Sequence, residues 1–258
     1  MNSIFAVAGV VVLELVRRKE AYVLLALTIL LGTSLASLSF FNDQKIVRFL
    51  KEACLSMIWI CSLIICIGLT ARQLPSEQES RTLFPLLAKP LARHQLILGK
   101  FFGCWLACGL SLLCFYLFFA LLTSSREESV LWSSYFQLLV FHWWMLGIIS
   151  SVTLLGSLVF AAPSSNATIC FIVAAGILLV GRYLNIVALQ IDQPGRGLLY
   201  SIYYLIPHLE FYDVRDLVIH RWPLIRWSTW LLALAYGAAY MVVFLAASCW
   251  VFRRKSIV

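Results

Sequence analysis

Charge is scarce in this chain: Asp, Glu, Lys and Arg together make up 12% of its 258 residues, about half the share of an ordinary soluble domain. That scarcity excludes a water-soluble surface over most of the chain. Basic residues outnumber acidic ones, 20 to 12, yet no basic run exceeds three residues, so nucleic acid is not an expected partner. The eight cysteines form no CxxC pair. Cys54 lies at the margin of an apolar run, and Cys61, Cys66, Cys104, Cys108, Cys114, Cys170 and Cys249 lie inside such runs, where they read as small buried side chains and not as disulfides or metal ligands. A phosphate-binding loop is missing too. Gly99 and Lys100 are adjacent, but no glycine stands five residues before Gly99 and no Ser or Thr follows the lysine. The nucleotide site built on that motif is excluded.

Apolar residues, by contrast, fill 62% of the sequence and the mean hydropathy is +0.92, which marks an integral membrane protein. A crossing helix needs about 20 mostly apolar residues, and 21–41, 53–71 and 101–125 meet that need. From Ser129 to Gly181 there is no Asp, Glu, Lys or Arg. As one helix this stretch would be roughly 80 Å long, so it must fold back, and Pro163 with its Ser/Asn neighbours marks the turn. Spans are therefore expected at 134–160, 167–187 and 227–252 as well. The expected fold is all-α: one polytopic transmembrane domain of six helices, with a polar connection carrying Asp43, Lys45, Arg48, Lys51 and Glu52 between the first two.

The apolar run Ser3–Leu13 is too short to cross. With Glu14, Arg17, Arg18 and Lys19 behind it, residues 1–20 are expected as an interfacial helix, its charge order the reverse of a signal peptide. Six spans put both termini on one side. Basic clusters abut the span ends at Arg17–Lys19, Arg72 and Lys100, and Arg253–Lys255, which places the termini and the 72–100 loop in the cytoplasm.

That loop is the long polar segment with helix-start punctuation. After Pro75, Ser76 and Glu79 fit a capping box. A short helix would set Leu83, Phe84 and Leu87 on a narrow apolar face opposite Glu77 and Arg81, bent by Pro85 and ended by Pro90. Such an amphipathic helix between two spans is a docking element. Beyond it, Gly99 and Gly103 form a GxxxG, and Ala233, Gly237 and Ala239 a second small-residue stripe, both read first as packing within the chain.

The string RTLFPLLAKPLARHQLILGKFFG, preceded by LPSEQE, resembles the cytoplasmic loop of permease subunits in the ABC-transporter type-two export family. In that family an acidic pair precedes Arg-Thr-Leu, followed by Leu-Leu-x-Lys/Arg-Pro, a basic residue, and Gly-Lys at the next span. Glu14 with Arg17, Arg18 and Lys19 resembles the family's interfacial helix. The resemblance implies a subunit of an ATP-driven exporter in the bacterial cytoplasmic membrane. It would be dimeric with a second copy or a related permease, and a separate ABC-type ATPase would bind the ATP, so this chain needs no cofactor. It further implies that Glu77, Glu79, Arg81, Thr82, Leu83, Phe84 and Leu87 couple to the ATPase, and that Lys89, Pro90, Arg93, Gly99 and Lys100 lead back into the membrane. The apolar spans suggest an amphipathic or lipid-like cargo. A non-transporting scaffold that anchors an ATPase, and an intramembrane enzyme, stay open as alternatives.

His142 carries the enzymatic alternative, since an ionisable group in a span is a functional candidate. No carboxylate shares its depth, and Ser150 and Ser151 lack a Gly-x-Ser-x-Gly elbow, so a histidine hydrogen-bonded to a neighbouring helix is the favoured reading. In the outer loop, 188–226, Leu198–Pro207 is aromatic but too short to span. His208, Glu210, Asp213, Asp216 and His220 follow, spread over more than one helix face, and no metal site is expected from them. The expectation is a re-entrant hairpin, as the exporter family places between its last two spans, with Tyr203, Tyr204 and Pro207 as an outer gate.

Overall fold

A computed structural model of the chain describes residues 2–17, 19–37, 43–75, 92–125, 131–160, 162–190 and 195–254. Every described element is helical: α1 (Asn2–Arg17), α2 (Lys19–Ser37), α3 (Asp43–Ala71), α4 (Arg93–Ser124), α5 (Trp132–Val159), α6 (Pro163–Gln190), α7 (Gly195–Leu205), a 3-10 turn (Leu209–Tyr212), α8 (Arg215–Ile219) and α9 (Trp227–Arg254). Among the described residues, five helices are long and apolar enough to cross a membrane: Val47–Ala71 in α3, Arg93–Ser124, Trp132–Val159, Pro163–Gly181 in α6 and Trp227–Arg254. The chain is thus an α-helical multi-pass membrane protein. Its first expected span falls on α2, whose Ala21–Ser34 is a shorter apolar helix, and residues 38–41 lie outside the described segments. Pro163 opens α6 at the turn between the fourth and fifth expected spans, where its missing N–H costs nothing.

Two helices begin earlier than hydropathy suggests. α3 starts at Asp43, so most of the expected polar connection is helix. Its Lys51 is only 2% exposed, and its ammonium donates to the Val218 carbonyl of α8 at 3.1 Å. The distant carbonyl makes the buried charge tolerable. α4 starts at Arg93, which gives the third expected span a helical foot before Phe101.

α3, α4 and α5 pack on one another at the centre. α9 lies against α5 and α4, α6 against α3 and α5, α7 against α6, and α1 and α2 against α4. In lipid, helix association rests on close van der Waals fit and hydrogen bonds, because the tails are as apolar as the side chains. Both are visible where α4 meets α5. The Trp105 indole N–H donates to the Trp143 carbonyl (3.0 Å) and the Trp143 N–H returns the bond to the Trp105 carbonyl (2.9 Å), with the rings stacked at 4.7 Å. Trp144 reaches α9, donating to the Leu234 carbonyl at 2.8 Å. Each ring covers a glycine of the neighbouring helix: a Cβ at Gly109 would stand 2.7 Å from Trp143, at Gly147 2.8 Å from Trp105, and at Gly237 2.8 Å from Trp144.

The GxxxG of α4 is also used within the chain. A Cβ at Gly99 would lie 2.8 Å from the Val7 Cβ, and one at Gly103 would lie 2.7 Å from the Val11 Cβ and 3.0 Å from the Ala8 backbone. α1 therefore runs alongside the foot of α4 in the same direction, with Val7, Ala8, Val11 and Leu15 buried. Gly103→Ala is expected to lower the thermal midpoint of the purified protein by an amount equivalent to about 1–3 kcal/mol, the cost of overpacking. Gly176→Ala, whose methyl meets nothing within 4 Å, is expected to leave the midpoint at or above that of the wild type. Circular-dichroism melts of the two variants side by side check this.

Candidate functional site

Residues 76–91 lie outside the described segments. The Ser76–Glu79 cap and Glu77, Glu79, Arg81, Thr82, Leu83, Phe84, Leu87, Lys89 and Pro90 fall there. The structure describes what holds both ends of that segment. On the entry side α3 gives way after Ala71 to a turn in which Gln73 N–H donates to the Thr70 carbonyl at 3.2 Å, and Gln73, Leu74 and Pro75 are buried. On the exit side the Gln95 side chain accepts from the Ala92 N–H at 3.3 Å, covering a donor that the start of α4 leaves unpaired.

The two ends meet through one amide. Gln73 Nε2 donates to Glu14 Oε2 of α1 at 2.9 Å and to the Leu69 carbonyl at 3.3 Å. Gln73 Oε1 accepts from Lys100 Nζ at 3.1 Å. Gln73 is 2% and Lys100 5% exposed. A buried ammonium costs several kcal/mol unless its donors are matched. The amide passes that demand on to the half-buried Glu14 carboxylate, which joins α1, the end of α3 and the start of α4 in one polar chain. Arg93 adds the last helix: its Nη1 donates to the Phe252 and Arg253 carbonyls at 3.3 and 3.2 Å. These carbonyls belong to the final turn of α9, where the helix dipole favours a cation.

The arrangement is a foot in which the described residues flanking 76–91 are tied to α1, α3, α4 and α9. The sequence profile of the ABC-2 family transporter proteins matches residues 23–257. The chain belongs to that family. It is a transmembrane permease of an ABC transporter, and membership implies pairing with an ABC ATPase subunit. No curated protein matches it. Of the residues that the resemblance assigned to the way back into the membrane, Arg93, Gly99 and Lys100 are brought together in this foot. Glu14 and Gln73, which complete it, were missed in those roles. Glu14 was visible only as part of a basic-acidic cluster, and a lone glutamine after a span carries no signal by itself.

The permease has a second polar cluster on the opposite side of its tryptophan layer. His142 is fully buried, with Nε2 2.8 Å from Ser62 Oγ and Nδ1 3.2 Å from the Tyr116 hydroxyl. Ser62 spends its own proton on the Trp59 carbonyl, at 2.9 Å, so its oxygen accepts from Nε2–H and leaves Nδ1 to accept from Tyr116. The imidazole stacks on Trp59 at 4.7 Å. Over the Trp59 ring lies the Arg215 guanidinium, 4.9 Å from the centroid, which also donates to Ser56 Oγ at 3.1 Å and grips both Asp213 oxygens at 2.8 and 2.9 Å. Hydrogen bonding to Asp213 raises the Arg215 pKa above its ordinary value. Ser150 and Ser151 donate to the backbone carbonyls of Gly147 and Ile148 at 2.9 and 2.7 Å, not to His142. His142 thus ties α5 to α3 and α4, and Arg215 fastens α8 onto them.

Two of the expected gate residues touch, the Tyr203 and Tyr204 rings meeting edge-on at 5.4 Å. Tyr204 is 72% exposed, Pro207 is buried, and Tyr203 packs on His208 at 4.4 Å. α9 holds this end of α7: the Tyr236 hydroxyl accepts from the His208 N–H at 3.1 Å and the Tyr240 hydroxyl donates to the Tyr204 carbonyl at 3.4 Å. Among the described residues no three His, Cys, Asp or Glu side chains converge as metal ligands would. Asp216, for its part, faces His220 at 3.8 Å.

Because Lys100 and Gln73 satisfy each other, their removal should be non-additive. Gln73→Leu alone is expected to destabilise by about 1–3 kcal/mol by orphaning a buried donor. Lys100→Met added to it should cost less than the sum, with a coupling energy of about 0.5–3 kcal/mol in a double-mutant cycle followed by thermal melts.

Proposed function

We propose that this permease is the membrane-spanning subunit of an ATP-driven exporter, pairing with a separate ATPase and with a second copy or a related permease to move an amphipathic or lipid-like cargo. In this reading the chain crosses the bacterial cytoplasmic membrane six times, with α2 as the first crossing and both termini in the cytoplasm. α1 accompanies the foot of α4 at the cytoplasmic surface. Residues 76–91 form the coupling helix in the ATPase cleft, and α7, the 3-10 turn and α8 form the re-entrant cap on the far side.

The observation that carries the reading is the anchoring of both ends of the 76–91 segment in one polar foot. A loop that only set topology would need no such attachment. A loop pushed by a closing ATPase would need it, because force applied there is useful only if several spans move with it. Nucleotide binding would then shift the population between inward- and outward-facing arrangements. The polar tie from Arg215 to Trp59 would hold the cap to the central helices as they move.

The double change Glu77→Lys with Arg81→Glu inverts the polar face of the coupling helix without touching a span. Co-purification with the ATPase is expected to be lost while membrane insertion is kept, and undiminished association contradicts the docking role. Tyr203→Ala with Tyr204→Ala is expected to leave basal ATP hydrolysis near normal in proteoliposomes while export falls. Unchanged export removes the gate from the account. A scaffold, by contrast, would bind the ATPase and show no cargo-stimulated hydrolysis.

A further inference from the structure

The start of α4 and the end of α9 meet in a groove of about 480 Å³ lined by Arg93, His94, Cys249 and Arg253. Arg93 holds the two helix ends together: its guanidinium lies over the Phe252 ring, 6.0 Å from the centroid, while Nη1 donates to the Phe252 and Arg253 carbonyls. The His94 and Arg253 side chains are exposed, and among the described residues neither has a carboxylate partner. The packing fixes the depth of the groove. A Cβ at Gly147 would stand 2.8 Å from both Trp105 and Met241, so these three residues share one level, and Gly147 and Met241 lie near the midpoints of α5 and α9. Arg93 stands twelve residues before Trp105, and Arg253 twelve residues after Met241, which sets both about 18 Å from that level. Half of the hydrocarbon core is about 15 Å, so the two arginines stand just past its edge, at headgroup depth.

We propose that this groove binds the phosphate of an anionic phospholipid, with Arg253 and His94 as its ligands and Arg93 holding in place the two helix ends that carry them. Charge complementarity and depth support the assignment together. A guanidinium presents a planar fork of donors that matches phosphate oxygens, and basic pockets between membrane helices recognise anionic headgroups. From the groove toward mid-membrane, α9 leaves Trp250, Val243 and Val242 exposed, an apolar surface along which the acyl chains can lie. The Arg254 guanidinium covers the Trp250 ring at 3.9 Å, and an exposed tryptophan one turn from the end of a span is an interfacial anchor. The site adds to the transport reading and needs neither that reading nor a choice of membrane face, because the occupant is bound and not carried.

The test is native mass spectrometry of the purified full chain incubated with phosphatidylglycerol or phosphatidylcholine vesicles. Wild-type protein is expected to retain phosphatidylglycerol in preference. Arg253→Gln should lower that retention about fivefold and leave phosphatidylcholine retention unchanged, and His94→Gln added to it should lower the retention further. The tie to Arg93 uses the Arg253 backbone carbonyl and not its side chain, so the variant keeps the fold, which an unchanged thermal melt checks. Arg226→Gln removes a cation from the opposite end of α9 and should leave the preference as it is. Equal retention of the two lipids by the wild type, unchanged phosphatidylglycerol retention in Arg253→Gln, or an equal loss in Arg226→Gln would each overturn the proposal. Displacement of the lipid by soluble glycerol phosphate would assign the groove to a free phosphate. A dimer that excludes lipid and is lost in Arg253→Gln would assign it to a second copy of the chain, and either result also overturns the proposal.

Discussion

A buried ammonium group sets the conditions for the end of the bundle that flanks residues 76–91. Lys100 sits at the foot of α4 with 5% of its surface exposed, in surroundings that are otherwise apolar. Such a charge persists only when its donors are met by fixed acceptors. Gln73 meets it at 3.1 Å and is itself held by Glu14 at 2.9 Å. From this follow the placement of α1 against Gly99 and Gly103, the fixed exit of the chain from α3, and the fixed entry into α4. Arg93, one helical foot away, closes the arrangement by capping α9. The segment between Pro75 and Ala92 therefore leaves from and returns to four helices joined by these hydrogen bonds.

Above the foot, the bundle relies on polar groups that find partners across helices where no water is available to satisfy them. The reciprocal Trp105–Trp143 bonds, the Trp144–Leu234 bond and the Ser62–His142–Tyr116 chain each join two or three helices. Further out, Arg215 lies on Trp59 and carries α8 with it. The same kind of bond thus recurs at three levels, and the glycines beneath the indoles let the backbones come close enough for it to form. An intramembrane histidine in this setting is a tie between helices, and its two ring nitrogens are both committed.

The architecture was largely legible in the sequence, because apolar length is a strong signal and Pro163 punctuates the one ambiguous stretch. The loop motif from Arg81 to Lys100 gave the family. GxxxG was correctly read as internal packing. What the sequence could not convey was pairing between distant residues. Lys51 is buried within α3 because its ammonium finds the Val218 carbonyl, far along the chain, and hydropathy sees only a charged interruption. Gln73 looks like an ordinary residue after a span until Glu14 and Lys100 are placed beside it. Arg93 belongs to the loop motif, but its acceptors are the last carbonyls of α9, which no local pattern connects to it. The Arg215 cluster shows the same limit: Asp213 and Arg215 are two residues apart, and only the fold brings the guanidinium over Trp59.

The central claim is that the foot transmits movement of the 76–91 segment to the spans. Cargo moved per ATP hydrolysed, in proteoliposomes containing the permease–ATPase complex, tests it most directly when wild type is compared with Gln73→Leu. The account predicts that the variant still binds the ATPase and hydrolyses ATP while cargo moved per ATP falls sharply, because the loop is no longer joined to α1 and α4. An unchanged ratio in a folded variant would contradict it.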